Sequence, residues 1–120
     1  MLSIIKTIVL EGLEGILVNV EIDITKGMPS WQIIGLPDAS VKEAKERVKT
    51  AIRNCGINLP SRKYTINLSP ANLRKAGSSF DLSIAVGILQ LLGIIDNKKT
   101  KDTIFIGELS LDGKINPIKG

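Results

Sequence analysis

Residues 80–92 read as a helix with almost no polar face, Asp81, Ser83 and Gln90 being its only polar positions. A helix that is apolar nearly all round has to be buried, so the rest of the chain must wrap it. Gly87 in its middle marks close approach of the backbone to whatever covers it. Gly93 ends it. Directly before it runs a basic glycine-serine loop, Lys75-Ala-Gly-Ser-Ser79. That loop sets Ser78 and Ser79 at the positive end of a helix. A hydroxyl there can cap the helix, stand beside a bound anion, or act as a nucleophile.

The cover for this helix is a sheet. Residues 2–10 are rich in Ile and Val and read as a strand, and Glu11-Gly-Leu-Glu-Gly15 reads as a turn. From Ile16 to Thr25 apolar and polar residues alternate, the period of a half-buried strand in a hairpin. Residues 31–35 form a short third strand, 64–68 a fourth, 103–111 a fifth and 114–118 a sixth, with Asp112-Gly113 as the hairpin turn between the last two. Between the third and fourth strands a helix starts at Pro37-Asp38-Ala39-Ser40. Ser40 and Glu43 make a capping pattern, with Asp38 as the other candidate cap. Val41, Ala44, Val48, Ala51, Ile52 and Cys55 form its apolar face. Lys42, Glu43, Lys45, Glu46, Arg47, Lys49 and Arg53 form its charged face, with Glu43 and Arg47 paired across one turn. Residues 97–102 read as a polar loop. Three strands, helix, strand, helix, two strands predict an α/β (α+β) two-layer sandwich, helices on one face of a mixed sheet.

Composition narrows the chemistry. With 120 residues the chain is one domain by default and can bury roughly 65% of its unfolded surface. Aromatics are only 3% of residues, so the core is aliphatic; Trp31 and Tyr64 read as isolated, packed residues. No histidine is present, which removes Ser-His and Cys-His catalysis and most zinc sites. The single Cys55 rules out an internal disulfide, fits a reducing, cytoplasmic setting and reads as a buried small hydrophobe. Residues 2–20 are apolar, yet Lys6, Glu11, Glu14, Gly12 and Gly15 interrupt them, against a signal or membrane span. The net charge of +4 permits an acidic partner without requiring one.

Several stretches converge on one family. They are Ile34-Gly-Leu-Pro-Asp38, Val41-Lys-Glu-Ala-Lys-Glu-Arg-Val48 and Ala51-Ile-Arg-Asn-Cys-Gly56, then Ile66-Asn-Leu-Ser-Pro-Ala-Asn72, Gly77-Ser-Ser-Phe-Asp-Leu82 with Ile84-Ala-Val-Gly-Ile-Leu89, and Gly107-Glu-Leu-Ser-Leu-Asp-Gly113. In this order and spacing the chain resembles the N-terminal domain of the Mg-chelatase-like AAA+ ATPases of the ComM/YifB type. The resemblance implies a Lon-proteolytic-domain-like fold, shared with a ribosomal-protein domain, for residues 1–120 as a single domain of a longer AAA+ ATPase. It also implies a hexameric parent linked to DNA processing and branch migration in natural transformation. ATP and Mg would bind the ATPase module beyond Gly120, with no cofactor in this chain. The partners expected are that module, neighbouring subunits and DNA, with no membrane. The central loop departs from the family at Asn72, Arg74, Ala76, Ser79 and Ser83, where the family usually carries Asp, Pro, Glu, Arg and Pro.

Three functions compete. Nucleotide hydrolysis within this chain is excluded: a phosphate loop needs G-x-x-x-x-G-K-[ST], and the only Gly-Lys pair, Gly113-Lys114, has Glu108 at the first glycine position and Ile115 after the lysine. The leading expectation is a non-catalytic accessory domain that organises the ATPase or guides DNA to it. Its candidate phosphate contacts are Arg62, Lys63, Arg74 and Lys75, in two loops expected at one end of the sheet. The enzymatic alternative resembles Lon's Ser-Lys peptidase, with Ser79 at the nucleophile position and its lysine base falling just past Gly120. Against it, Ser79 can serve as a helix cap. The third reading is a pure protein-interaction module. No cluster of residues has the makings of a metal site.

Overall fold

The computed structural model describes residues 1–116. Four strands form the main sheet: β1 (Leu2–Glu11), β2 (Glu14–Thr25), β3 (Ser30–Ile34) and β4 (Lys63–Ser69), in the order β1-β2-β4-β3. β1 and β2 pair antiparallel from Leu2↔Asp23 to Glu11↔Glu14. β4 runs antiparallel to β2 and parallel to β3, so the sheet is mixed. Alternation sets its two faces. Ile5, Val18, Val20, Ile22, Ile66 and Leu68 are buried on one. Ile4, Leu17, Glu21 and Asn67 lie on the other, where the Asn67 amide donates to Glu21 at 2.7 Å.

The helices are α1 (Ala39–Lys42), α2 (Ala44–Asn54), α3 (Asp81–Leu91) and α4 (Asn97–Thr100). α3 is the buried helix its composition requires. It packs on β1 and β2 with Ile84, Ala85, Val86 and Ile88 in the core. A Cβ on Gly87 would stand 2.6 Å from the Ile22 side chain. Its carbonyl instead accepts the Ser3 hydroxyl at 3.1 Å, which holds helix to sheet at contact distance. α2 packs on α3 through Val48, Ala51 and Ile52, completing a two-layer sandwich.

The helix expected from Pro37 onward is split at Glu43. Its cap is Asp38, whose carboxylate accepts from the Val41 N–H at 2.9 Å and from the Ser40 hydroxyl at 2.7 Å. Ser40 is therefore not the cap. Cys55 is exposed, because α2 ends at Asn54 and its apolar stripe runs off the core there. The stretch read as a polar loop contains α4, capped by Asp96.

The long fifth strand shrinks to β5 (Glu108–Leu109), paired with β6 (Ile115–Asn116) around Asp112-Gly113. Residues 117–118 of the expected sixth strand lie outside the described residues. Ile104 still bridges Lys6 of β1, and the Phe105 N–H donates to the Lys6 carbonyl at 2.9 Å. Beyond that, Gly107 turns its backbone groups to the start of α3, which ends the pairing with β1. Among the described residues no helix is long and apolar enough to cross a membrane.

Candidate functional site

The motif residues gather where β3 and β4 end and α1 and α3 begin. After β3 the chain passes Gly35 at φ +101° and Leu36 at φ +57°. Gly35 lies so close to β4 that a Cβ there would collide with the Leu68 carbonyl, so only glycine fits. Lys75 holds this turn. Its N–H donates to the Leu36 carbonyl at 3.0 Å and its carbonyl accepts the Asp38 N–H at 2.9 Å. Its ammonium donates to Gly35 O at 2.7 Å and to Pro70 O. The side chain is 0% exposed, and burial pushes its pKa below the ordinary lysine value. Lys75 thus cannot offer its charge to a phosphate, contrary to the expectation from sequence.

α3 opens on a second set of bonds. Neither Ser78 nor Ser79 caps it. Its first residue follows Phe80, and no side chain accepts from the N–H groups of that end. The Leu82 N–H donates instead to the Gly107 carbonyl at 3.0 Å, while Gly107 N–H donates to the Ser79 carbonyl at 3.0 Å. A backbone staple from the β5 side therefore satisfies one of the donors, the Leu82 N–H, that a cap or an anion would have used. The Ser78 hydroxyl donates to Glu108, whose other oxygen accepts the Asn116 amide at 3.1 Å. The Ser78 hydroxyl, and after it the Asn116 amide, hold the Glu108 carboxyl below the ordinary range. No lysine among the described residues donates to Ser79.

Behind this loop lies a feature the sequence reading missed. Arg47 of α2 grips Asp81 with two bonds, Nε to Oδ2 at 2.7 Å and Nη2 to Oδ1 at 3.1 Å. The expected pair with Glu43 forms as well, Nη1 to Oε2 at 3.5 Å on the exposed side. Asp81 also accepts the Leu109 N–H at 3.0 Å, so one carboxylate ties α2, α3 and β5 together. Burial pushes the Asp81 carboxyl up, against the opposing pull of Arg47 and the Leu109 N–H, and the Asp81 bond raises Arg47. The signal for this pair was the single acid at the head of an otherwise apolar helix, which needs a partner once buried.

The basic candidates do not form one patch. Arg62 stands just before β4 and Lys63 begins it, whereas Arg74 lies beyond its far end. A seven-residue strand separates them by roughly 23 Å. Arg74 lies near Asp38 and helps lower its pKa, after the Val41 N–H and the Ser40 hydroxyl. Trp31 and Tyr64 are not isolated, since their rings stack at 4.3 Å and 16°.

Known proteins are similar to this chain over most of its length. The family of subunit ChlI of Mg-chelatase matches residues 20–120. The chain is 38% identical over 109 residues to the competence protein ComM of Haemophilus influenzae, covering 91% of this chain and 21% of that protein. It is 40% identical over 119 residues to YifB of Escherichia coli, covering 99% of this chain and 24% of that protein. An uncharacterized protein of Mycobacterium tuberculosis is 40% identical over 114 residues, 95% of this chain and 23% of its own length. The chain therefore spans about a quarter of the length of these curated relatives. With the match running through the Gly35 turn, the Lys75 pin and the Asp81 tie, the chain belongs to the Mg-chelatase subunit ChlI family, as a domain of the ComM and YifB type.

Proposed function

We propose that the chain is a non-catalytic accessory domain of a Mg-chelatase-like AAA+ ATPase of the ComM type, working in the cytoplasm. It acts by contact, bracing the ATPase module and its neighbouring subunits and guiding DNA to them during competence. ATP and Mg belong to the ATPase module. The observation that carries this reading is the state of the glycine-serine loop. The Ser78 hydroxyl is bonded to Glu108, Gly107 staples the start of α3, and the ammonium of Lys75 is bound to two carbonyls. A nucleophilic serine needs a base to take its proton. This loop is built as a joint instead. The name of the relative ComM supplies the competence context.

The test uses the full-length protein. Loss of a true nucleophile lowers turnover by about 10⁴-fold or more. Ser79→Ala is expected to leave ATP hydrolysis and DNA processing within about twofold of the parent, and an unfolded protein substrate uncut before and after the change. Cleavage that disappears in Ser79→Ala would replace this reading with the Ser-Lys peptidase.

A further inference from the structure

Away from the loop, at the opposite end of β4, a cavity of about 270 Å³ opens between the edge of the sheet and α2. Its aromatic wall is Trp31 of β3, adjacent to Tyr64 in the parallel register. Tyr64 is fully buried and its hydroxyl donates to the Pro60 carbonyl at 2.7 Å, so it supports the wall without offering a polar group. Three cations line the same space. Lys49 and Arg53 stand one turn apart on α2, and Arg62 comes from the loop before β4. The Lys49 ammonium lies 5.4 Å from the Trp31 ring centroid. No carboxylate lines the cavity. Glu46 reaches Lys49 at 3.4 Å, but neither Arg53 nor Arg62 forms an ion pair among the described residues.

Two guanidinium groups without counter-ions, beside an indole and with no acid in the lining, call for a ligand that carries both negative charge and a flat ring. A free phosphate would leave the aromatic wall unused. An acidic peptide would meet the charge, but the wall gives it no specific partner. A single strand of nucleic acid satisfies both: its phosphates neutralise the arginines and draw Lys49 off the ring, and a base then takes the face of Trp31 that Tyr64 does not cover. We infer that the cavity walled by Trp31 and lined by Lys49, Arg53 and Arg62 is a subsite for single-stranded DNA that holds one nucleotide. This rests on the DNA-contact part of the proposed function and relocates that contact. Arg62 belongs to the subsite, Arg74 lies at the other end of the sheet, and Lys75 is buried.

Trp31 is the only tryptophan of the chain, so its fluorescence reports on this cavity alone. Titration of the chain with a short oligothymidylate at low salt is expected to quench that fluorescence to saturation, with affinity falling as salt rises. Arg53→Ala with Arg62→Ala is expected to weaken binding about tenfold or more and to flatten the salt slope by about 0.7 for each phosphate that is no longer neutralised. Arg53 and Arg62 make no side-chain hydrogen bond among the described residues, so the thermal midpoint should hold and serves as the folding control. Arg74→Ala is expected to change neither affinity nor slope. Binding that survives the double substitution but fails in Arg74→Ala overturns the subsite and leaves the DNA-contact reading standing. Absence of binding in the unaltered chain overturns the subsite together with the DNA contact of this domain. Thymidine monophosphate binding as tightly as the oligothymidylate also overturns it, since a strand would then add nothing.

Discussion

Gly35 joins a left-handed backbone, φ +101°, to a position where a Cβ would strike the Leu68 carbonyl. Either strain alone is costly, and the obstacle is backbone that cannot rotate away. Gly35→Ala is expected to destabilise the fold by about 2–4 kcal/mol, read from urea unfolding. Lys75 allows a sharper test. Its pKa is lowered by burial, so between that lowered value and 10.5 the unfolded chain binds more protons than the folded one. Stability should therefore climb as pH rises through this range. Lys75→Met carries no such proton. It leaves the Gly35 and Pro70 carbonyls unpaired at a cost that does not vary with pH, about 1–3 kcal/mol each. Parallel stability curves for the two proteins in alkaline buffer would show that Lys75 is not desolvated. Little of this residue's behaviour was legible beforehand. In sequence Lys75 sits beside Arg74 in a glycine-serine loop and looks like surface charge. The carbonyls that hold its ammonium come from Gly35, 40 residues away, and from Pro70, which the loop folds back over it. Cys55 errs in the opposite direction: the helical stripe that includes it is real, but the helix stops one residue short.

At the level of elements, the Arg47–Asp81 tie decides whether α2 and α3 stay together. Asp81 is 0% exposed and Arg47 largely covered, so removing one partner leaves a charge without compensation. Arg47→Ala is expected to cost about 3 kcal/mol at neutral pH, the lower end for a broken buried pair. The pH dependence has a definite sign. The Asp81 carboxyl already titrates above 3.8 in the folded protein, so the native state holds more protons in that window and stability falls as pH rises through it. Without Arg47 the opposing pull is gone and the window widens upward. The deficit of Arg47→Ala should then shrink as pH is lowered from neutral, and guanidinium unfolding at a series of pH values would show it. A deficit constant with pH would mean that Arg47 stabilises by packing alone. The main strands and both long helices were readable from period and from Gly87, since each buries one face or all of itself. The start of α3 was not. Serines before an apolar helix read as caps, yet the Leu82 N–H there is met by the carbonyl of Gly107, 25 residues downstream. The same diversion of Gly107 cuts the expected fifth strand to two residues.

Across the whole molecule, stability should be uneven. β2 and β4 lie inside the four-stranded sheet with Val18, Val20, Ile22, Ile66 and Leu68 fully buried, so their amides exchange through global unfolding. The β5–β6 hairpin has two residues in each strand and one core side chain, Leu109. What ties it down is polar: Ser78 to Glu108, Asn54 to the Leu111 carbonyl at 2.7 Å, and Asp81 to the Leu109 N–H. Hydrogen bonds to charged groups are the stronger ones, enough to hold a hairpin but not to fold the domain. Ser78→Ala is therefore expected to speed exchange at Ser110 and Gly113 by roughly tenfold or more, while the amides of β2 and β4 keep their rates. Acid should imitate the substitution. The Glu108 carboxyl is held below 4.5 by Ser78 and Asn116, so its contribution is present above 4.5 and fades as pH falls through the lowered value. Protection factors of the hairpin, corrected for intrinsic exchange, should drop in acid in the parent and change less in Ser78→Ala. If the sheet and the hairpin instead lost protection together, the hairpin would be part of the cooperative core and the glycine-serine loop would be bracing the entire sandwich.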